Sequence, residues 1–246
     1  VRLYGIIPPP ARSIDLGAPD ERDDFVNELV PPPGPWVRAI MVTNSAGEMS
    51  GVDGSSRSLS RGSDRALLAL HRSVVDAVIV GAATIKAEPV PVPSSVPLVV
   101  ITRSGDLSNH QLTNTQRGEL VVVTGAAGST MASSSLENLP HRVLTLEGSD
   151  PFSGTAIAAL LKESLGAQAL LIEGGRSVYE TFAPITDEVA LSVTPPPRHE
   201  RAGIPPWWPL STEAWALTSL MTDDDKMLYY RYLTAVRGAP SEWVEL

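Results

Sequence analysis

Short runs of consecutive apolar residues recur along the chain, separated by stretches in which apolar positions return at helical spacing. Trp36–Thr43 reads as a strand. Ser63 is placed to cap a helix over Asp64–Val74, with Leu67, His71 and Val74 on one side. Ala77–Val80, Leu98–Thr102, Leu120–Thr124, Val143–Leu146 and Ala169–Ile172 are apolar but for Thr102, Thr124 and Thr145, the pattern of strands buried on both faces of a parallel sheet. Ile157, Leu160, Leu161 and Leu165 mark a helix that Gly166 can end in the left-handed conformation. This alternation predicts an α/β fold with a mostly parallel sheet covered on both faces.

The two ends of the chain read differently. Ala214–Met221 and Met227–Val236 flank the polar turn Thr222–Lys226, which predicts an antiparallel hairpin closing one edge of the sheet. Pro195–Pro209 reads as an irregular loop. Residues 1–35 carry Pro8–Pro10 and Pro31–Pro33 and read as an extension with a short helix over Asp20–Leu29. Residues 36–246 then form one domain. No internal repeat is evident.

Composition narrows the chemistry. The formal net charge of −9 argues against sequence-independent nucleic-acid binding, which rests on Lys and Arg neutralising phosphates. The absence of cysteine removes disulfides, thiolate catalysis and Cys-based zinc sites. No apolar stretch approaches the roughly 20 residues of a membrane span. No basic segment followed by an apolar core opens the chain, and a cytoplasmic location is expected. His71, His110, His141 and His199 are scattered, so no metal site is expected. Asp223–Asp225 reads as a solvated turn.

Four segments have chemical potential. In Leu170–Phe182 a buried strand runs into Glu173-Gly174-Gly175 and a helix start, where bare backbone and free N–H groups suit a phosphate. Asp76–Thr84 repeats that geometry with Gly81, Ala82 and Thr84. Thr102-Arg103-Ser104 follows a strand end and offers a guanidinium between two hydroxyls. Val42–Ser58 is a long Gly- and Ser-rich loop holding Asp53 and Arg57. Taken singly, the first and the last are equally readable as an ordinary turn or surface loop, and for the second and third the ordinary reading is favoured. No G-x-G-x-x-G or Walker A sequence occurs.

In this order, DAVIVGAAT, TRSG, LLIEGGRSVYETF and the terminal TDDDKMLYYRYL resemble the reductase domain that follows the deaminase domain in bacterial riboflavin biosynthesis, and its stand-alone actinobacterial relatives. The resemblance runs from about Trp36 to Val236. It implies a dihydrofolate-reductase-like three-layer α/β/α fold with a central mixed sheet, NADPH as cofactor, and a homodimer. It implies that Gly81, Ala82 and Thr84 line the nicotinamide–ribose side and that Thr102, Arg103 and Ser104 meet the adenosine ribose and its 2′-phosphate. Gly174, Gly175, Arg176 and Ser177 would hold the pyrophosphate. Asn44, Gly51, Asp53, Ser55, Arg57 and Glu173 would face the substrate, a small heterocycle, with Glu173 and Asp53 as catalytic candidates positioning a proton-donating water.

The activity so implied is reduction of a ribosylaminopyrimidine. Two departures lie on the substrate side. Asn44-Ser45-Ala46-Gly47 stands where the family has a Ser-Leu-Asp-Gly-like segment, and Ile40 stands where a lysine is common. They leave open a pterin- or dihydrofolate-like substrate, or NADPH binding without catalysis.

Overall fold

The computed structural model describes residues 2–148, 152–195 and 215–234. In chain order the elements are β1 (Arg2–Ile7), β2 (Arg12–Asp15), α1 (Pro19–Leu29), β3 (Trp36–Asn44), α2 (Gly62–Arg72), β4 (Ala77–Gly81), α3 (Ala82–Ala87), β5 (Val90–Pro91), β6 (Leu98–Ile101), β7 (Leu112–Thr113), β8 (Leu120–Gly125), α4 (Ala126–Ser135), β9 (Arg142–Leu146), α5 (Gly154–Leu165), β10 (Ala169–Ile172), α6 (Arg176–Phe182), β11 (Glu188–Thr194), β12 (Trp215–Asp223) and β13 (Leu228–Thr234). They make an α/β fold with mixed, mainly parallel strand pairing and an antiparallel C-terminal hairpin. The contacts divide it into two compact units. One takes the segments up to Leu29, Arg38–Ala69 and the chain from Thr186; the other takes Val30–Val37 and Leu70–Ile185. Among the described residues no helix is long and apolar enough to cross a membrane.

The second unit is the parallel one. Its strands lie in the order β10-β4-β6-β8-β9, every pair parallel. Val78, Ile79, Val99, Val100, Val121 and Val122 are all buried, as strands with helices on both faces require. Asp76, just before β4, accepts from the backbone N–H groups of Gln168 and Ala169, both at 2.8 Å, and so aligns the starts of β4 and β10. Ser153 caps α5 by accepting from Ala156 N at 3.1 Å, and Gly166 ends it at φ 71°. The expected helix stop at Gly166 and the expected strands of this unit are therefore present. The expected cap at Ser63 is not: α2 begins at Gly62, so Ser63 lies buried in the first turn. The helix also stops at Arg72, two residues before Val74.

The first unit is mostly antiparallel, in the order β2-β1-β12-β13-β11-β3, with only β11 and β3 parallel. The predicted hairpin is β12–β13. It does not close the edge, because the N-terminal segment adds β1 against β12 and then β2 outside it. The Pro195–Pro209 loop falls, after Pro195, outside the described residues. Asp223 is buried at the hairpin turn, where it accepts from Met227 N at 3.0 Å and Tyr229 Oη at 2.7 Å. Asp223 thus departs from the solvated turn expected of this run, since its carboxylate substitutes for backbone partners inside the turn.

A buried ionic triad organises this unit. Glu188 opens β11 with no exposed surface and accepts from Arg38 of β3 at 2.8 Å and from Arg231 of β13. The same arginines donate to the last carbonyls of α1, Arg38 to Leu29 O at 2.7 Å and Arg231 to Glu28 O at 3.0 Å. The helix has no basic residue in its own last turn, so strands supply the cations its C-terminal end favours. Burial alone would push the Glu188 carboxyl up. The charges of Arg38 and Arg231 outweigh that and hold it at about 2.

Glu188→Gln should therefore destabilise the protein by about 3–5 kcal/mol near neutrality, because it leaves the fully buried Arg38 and the partly buried Arg231 without their counter-charge. The folded pKa lies below the unfolded value of roughly 4.3. The stabilisation is thus complete above the unfolded value and is lost as pH falls through about 2. Urea unfolding of both proteins across that range should show their difference shrinking with acid; a constant difference would refute the assignment.

Candidate functional site

The carboxyl ends of four parallel strands of the second unit lie in register. Leu170–Ile172 pair with Ala77–Ile79, Gly81 with Ile101, and Ile101 with Val123. Three of the four sequence segments therefore leave adjacent strands at one end of the sheet, the position at which open α/β sheets bind ligands. Gly81 and Gly174 both pack on Val178 of α6. A Cβ on Gly81 would lie 2.7 Å from Val178 Cγ2, and one on Gly174 would lie 2.6 Å from Val178 Cβ. These two glycines are required by packing. Gly175, which precedes α6, has open space where a side chain would go.

The turn after β6 is built by close glycine contacts. Thr102 is buried; its N–H donates to Val123 O at 3.0 Å and its Oγ1 accepts from Gly105 N at 3.1 Å. Gly105 has φ 76°, and a Cβ on it would lie 2.0 Å from Gly128 O. Ser104 Oγ accepts from Asp106 N at 3.2 Å. Asp106 accepts from Lys86 of α3 at 2.7 Å and from Ser108, and these donors hold its carboxyl well below the usual range. Arg103 and Ser104 remain exposed at the end of the sheet.

Glu173, at the end of β10, forms a two-pronged pair with Arg72, the last residue of α2. Arg72 Nε donates to Oε1 at 2.7 Å and Nη2 donates to Oε2. The side chains are 21% and 11% exposed for Arg72 and Glu173, enough shielding for the pair to matter. Burial disfavours the Arg72 charge, and Glu173 more than reverses that, so the guanidinium pKa is raised. Arg72 was not singled out from sequence. Its partner lies 101 residues away, and no local pattern announces it.

The loop expected to face the substrate belongs to the first unit. Asn44 Oδ1 accepts from Ala46 N at 3.0 Å and Glu48 N at 2.9 Å, closing the turn after β3. Asp53 accepts from Ser55 N at 3.1 Å, Ser55 Oγ at 2.9 Å and Ser58 Oγ at 2.8 Å. These bonds, led by the backbone N–H of Ser55, lower its pKa, so Asp53 is a carboxylate at neutral pH. A Cβ on Gly51 would lie 1.9 Å from Ser58 Oγ, so a larger residue there would displace the hydroxyl that Ser58 donates to Asp53. Arg57 is exposed, its N–H donating to Ser55 Oγ at 3.3 Å.

Gly81, Ala82, Thr84, Thr102, Arg103, Ser104, Glu173, Gly174, Gly175, Arg176 and Ser177 thus all fall in the second unit, on strand ends or the helix starts that follow them. Asn44, Gly51, Asp53, Ser55 and Arg57 fall in the first. Arg176 is turned along its helix to Glu180, Nε to Oε1 at 2.7 Å, in an exposed pair. His71 is buried, as expected of a packed residue. Among the described residues no group of three or more His, Asp or Glu could hold a metal ion.

No protein-family profile and no curated protein matches this chain in sequence. Solved structures share its fold. A pyrimidine reductase-like protein from Corynebacterium diphtheriae matches with a TM-score of 0.59 at 21% identity, over 83% of this chain and 93% of that one. The diaminohydroxyphosphoribosylaminopyrimidine deaminase/5-amino-6-(5-phosphoribosylamino)uracil reductase from Thermotoga maritima gives 0.60 at 18% identity, over 82% of this chain and 57% of that one. This chain therefore spans little more than half of that two-activity protein. The riboflavin biosynthesis reductase of Saccharomyces cerevisiae gives 0.58 at 12% identity, over 87% and 100% of the two chains. The fold is that of the pyrimidine reductase-like proteins.

Two substitutions test the geometry. In a double-mutant cycle of Arg72→Met with Glu173→Gln, urea unfolding should give a coupling of about 1–3 kcal/mol; additive effects would mean that the pair contributes nothing. Asp53→Asn should speed limited proteolysis within residues 45–61 by weakening the bonds that close the loop. An unchanged cleavage rate would show that these bonds do not order it.

Proposed function

We propose that this chain is an NADPH-dependent reductase of a ribosylaminopyrimidine. The observation that supports the reading best is the juxtaposition, on neighbouring parallel strand ends, of Gly81, Thr102-Arg103-Ser104 and Glu173-Gly174-Gly175. These residues fit a dinucleotide. Gly175 leaves a space that a Cβ would fill, and Arg103 presents an exposed cation in a chain of net charge −9. In this reading the main chain of Gly174, Gly175, Arg176 and Ser177, at the start of α6, holds the pyrophosphate. Thr102, Arg103 and Ser104 hold the adenosine end, and Gly81, Ala82 and Thr84 line the nicotinamide side.

NADPH, when bound, supplies the hydride. What the chain contributes is orientation. Glu173 is fixed by Arg72 as a hydrogen-bond acceptor at the strand end and can orient a donor group of the substrate. Asp53 has its oxygens occupied by Ser55 and Ser58, and is ionised. Its part is to shape the loop, while proton delivery falls to water. The acidic side chain that the family carries near Ala46 is replaced here by a turn that Asn44 closes, so substrate choice is the finer point to test.

Titration with each reduced nucleotide, followed by fluorescence, should show NADPH binding about ten- to a hundredfold more tightly than NADH, the worth of charge-assisted hydrogen bonds to one phosphate. NADPH oxidation should then occur with the ribosylaminopyrimidine and not with dihydrofolate or a pterin. If neither nucleotide binds at millimolar concentration, the reductase reading fails; if only the pterin turns over, the fold has been kept with a different substrate.

A further inference from the structure

The loop that carries Arg103 is fixed at both main chain and side chain. Gly105 and Gly128 approach closely: a Cβ on Gly105 would lie 2.0 Å from Gly128 O, and one on Gly128 would press on Gly105 N at 3.0 Å. A Cβ on Gly128 would also lie 2.3 Å from Thr124 Oγ1 and 3.1 Å from Arg103 O. The backbone of residues 102–105 is thereby seated on the first turn of α4. The Arg103 side chain, though exposed, is held as well. Its Cζ lies 4.8 Å from the centroid of the Phe152 ring. That ring in turn packs at the end of β8, with Cε2 3.6 Å from where a Cβ on Gly125 would sit.

Among the described residues, Arg103 has no carboxylate within ion-pair distance. Its partner is an aromatic face, which attracts the cation without neutralising it or occupying its N–H edge. Most other arginines of the second unit are committed: Arg72 to Glu173, Arg176 to Glu180, Arg142 to Glu119. A guanidinium set against an aromatic ring at the end of a parallel sheet, with no carboxylate partner among the described residues, is suited to two parallel bonds to a terminal phosphate.

We propose that Phe152 is a specificity-determining residue, which positions Arg103 to select adenine nucleotides bearing a 2′-phosphate over those without one. This rests on the reading that these strand ends hold a nicotinamide dinucleotide. Phe152 acts through Arg103 and is a positioning residue. It lies outside every sequence segment that suggested a site.

The test uses the whole protein and two probes, adenosine 2′,5′-bisphosphate and 5′-AMP, measured by calorimetry. The native protein should bind the bisphosphate about tenfold more tightly, as one charge-assisted pair permits. Phe152→Leu keeps the apolar volume and removes the π face. It should weaken the bisphosphate about two- to fivefold, the range for an exposed cation–π contact, and leave AMP unchanged. Phe152→Tyr should restore the native ratio, and Arg103→Met should abolish the preference. An unchanged ratio in Phe152→Leu, an equal loss for both nucleotides, or a native protein without preference would each overturn the proposal. A native protein that prefers the bisphosphate yet oxidises no NADPH with any pyrimidine would uphold it and remove the reductase reading.

Discussion

A carboxylate with no access to water must find its compensation inside the protein, and Glu188 finds it in two arginines from different strands. Their charges must exceed the cost of burial, and the depressed Glu188 pKa is the sign that they do. The consequence is geometric. Glu188 sits opposite Arg38 in the parallel pairing of β11 with β3, while Arg231 lies opposite Ala190 on the other side. A slip of one residue in either pairing would turn a buried charge to the wrong face. The triad therefore fixes register in three strands at once. Through the carbonyls of Glu28 and Leu29, it also anchors the helix that the N-terminal segment contributes.

The second unit is held by a different kind of constraint. Its strands are apolar on both faces and carry little information about neighbours beyond hydrophobicity. Order among them comes from small polar devices at their ends, such as Asp76 bridging to Gln168 and Ala169, and from glycines that permit contacts no side chain would allow. At the carboxyl ends the same devices leave backbone and the Arg103 guanidinium accessible. Two of the glycines that seem to invite a ligand, Gly81 and Gly174, are explained first by Val178. Gly175 alone, of the three, has room beside it. A glycine in such a motif is ambiguous until what lies over it is known.

How much could be read from sequence follows from this division. The strands of the second unit and the end of α5 were evident, because a buried parallel strand is a local run and a left-handed Gly166 is a local stop. β11 escaped notice because it opens with Glu188, a charge that looks solvated until Arg38 and Arg231 are brought to it. β1 and β2 escaped because Pro8–Pro10 suggests an arm beside the fold, whereas the flanking residues pair with β12 and with each other. In the candidate site, residue types on the main-chain turns were readable. Arg72 and Phe152 were not, since each owes its place to a residue distant in sequence and close in space.

The first unit is discontinuous, and that has a bearing on how the chain must be made. Ribosomes release a polypeptide from one end, so β1, β2, α1 and β3 emerge long before β11, β12 and β13, the strands that complete their sheet. Every strand of the second unit, by contrast, has been synthesised before β11 is decoded. Nascent β1 and β3 therefore wait with unpaired edges, the kind of surface that chaperones shield. Arg38 in particular stays hydrated until Glu188 arrives, so the burial of charge is among the last events that synthesis permits.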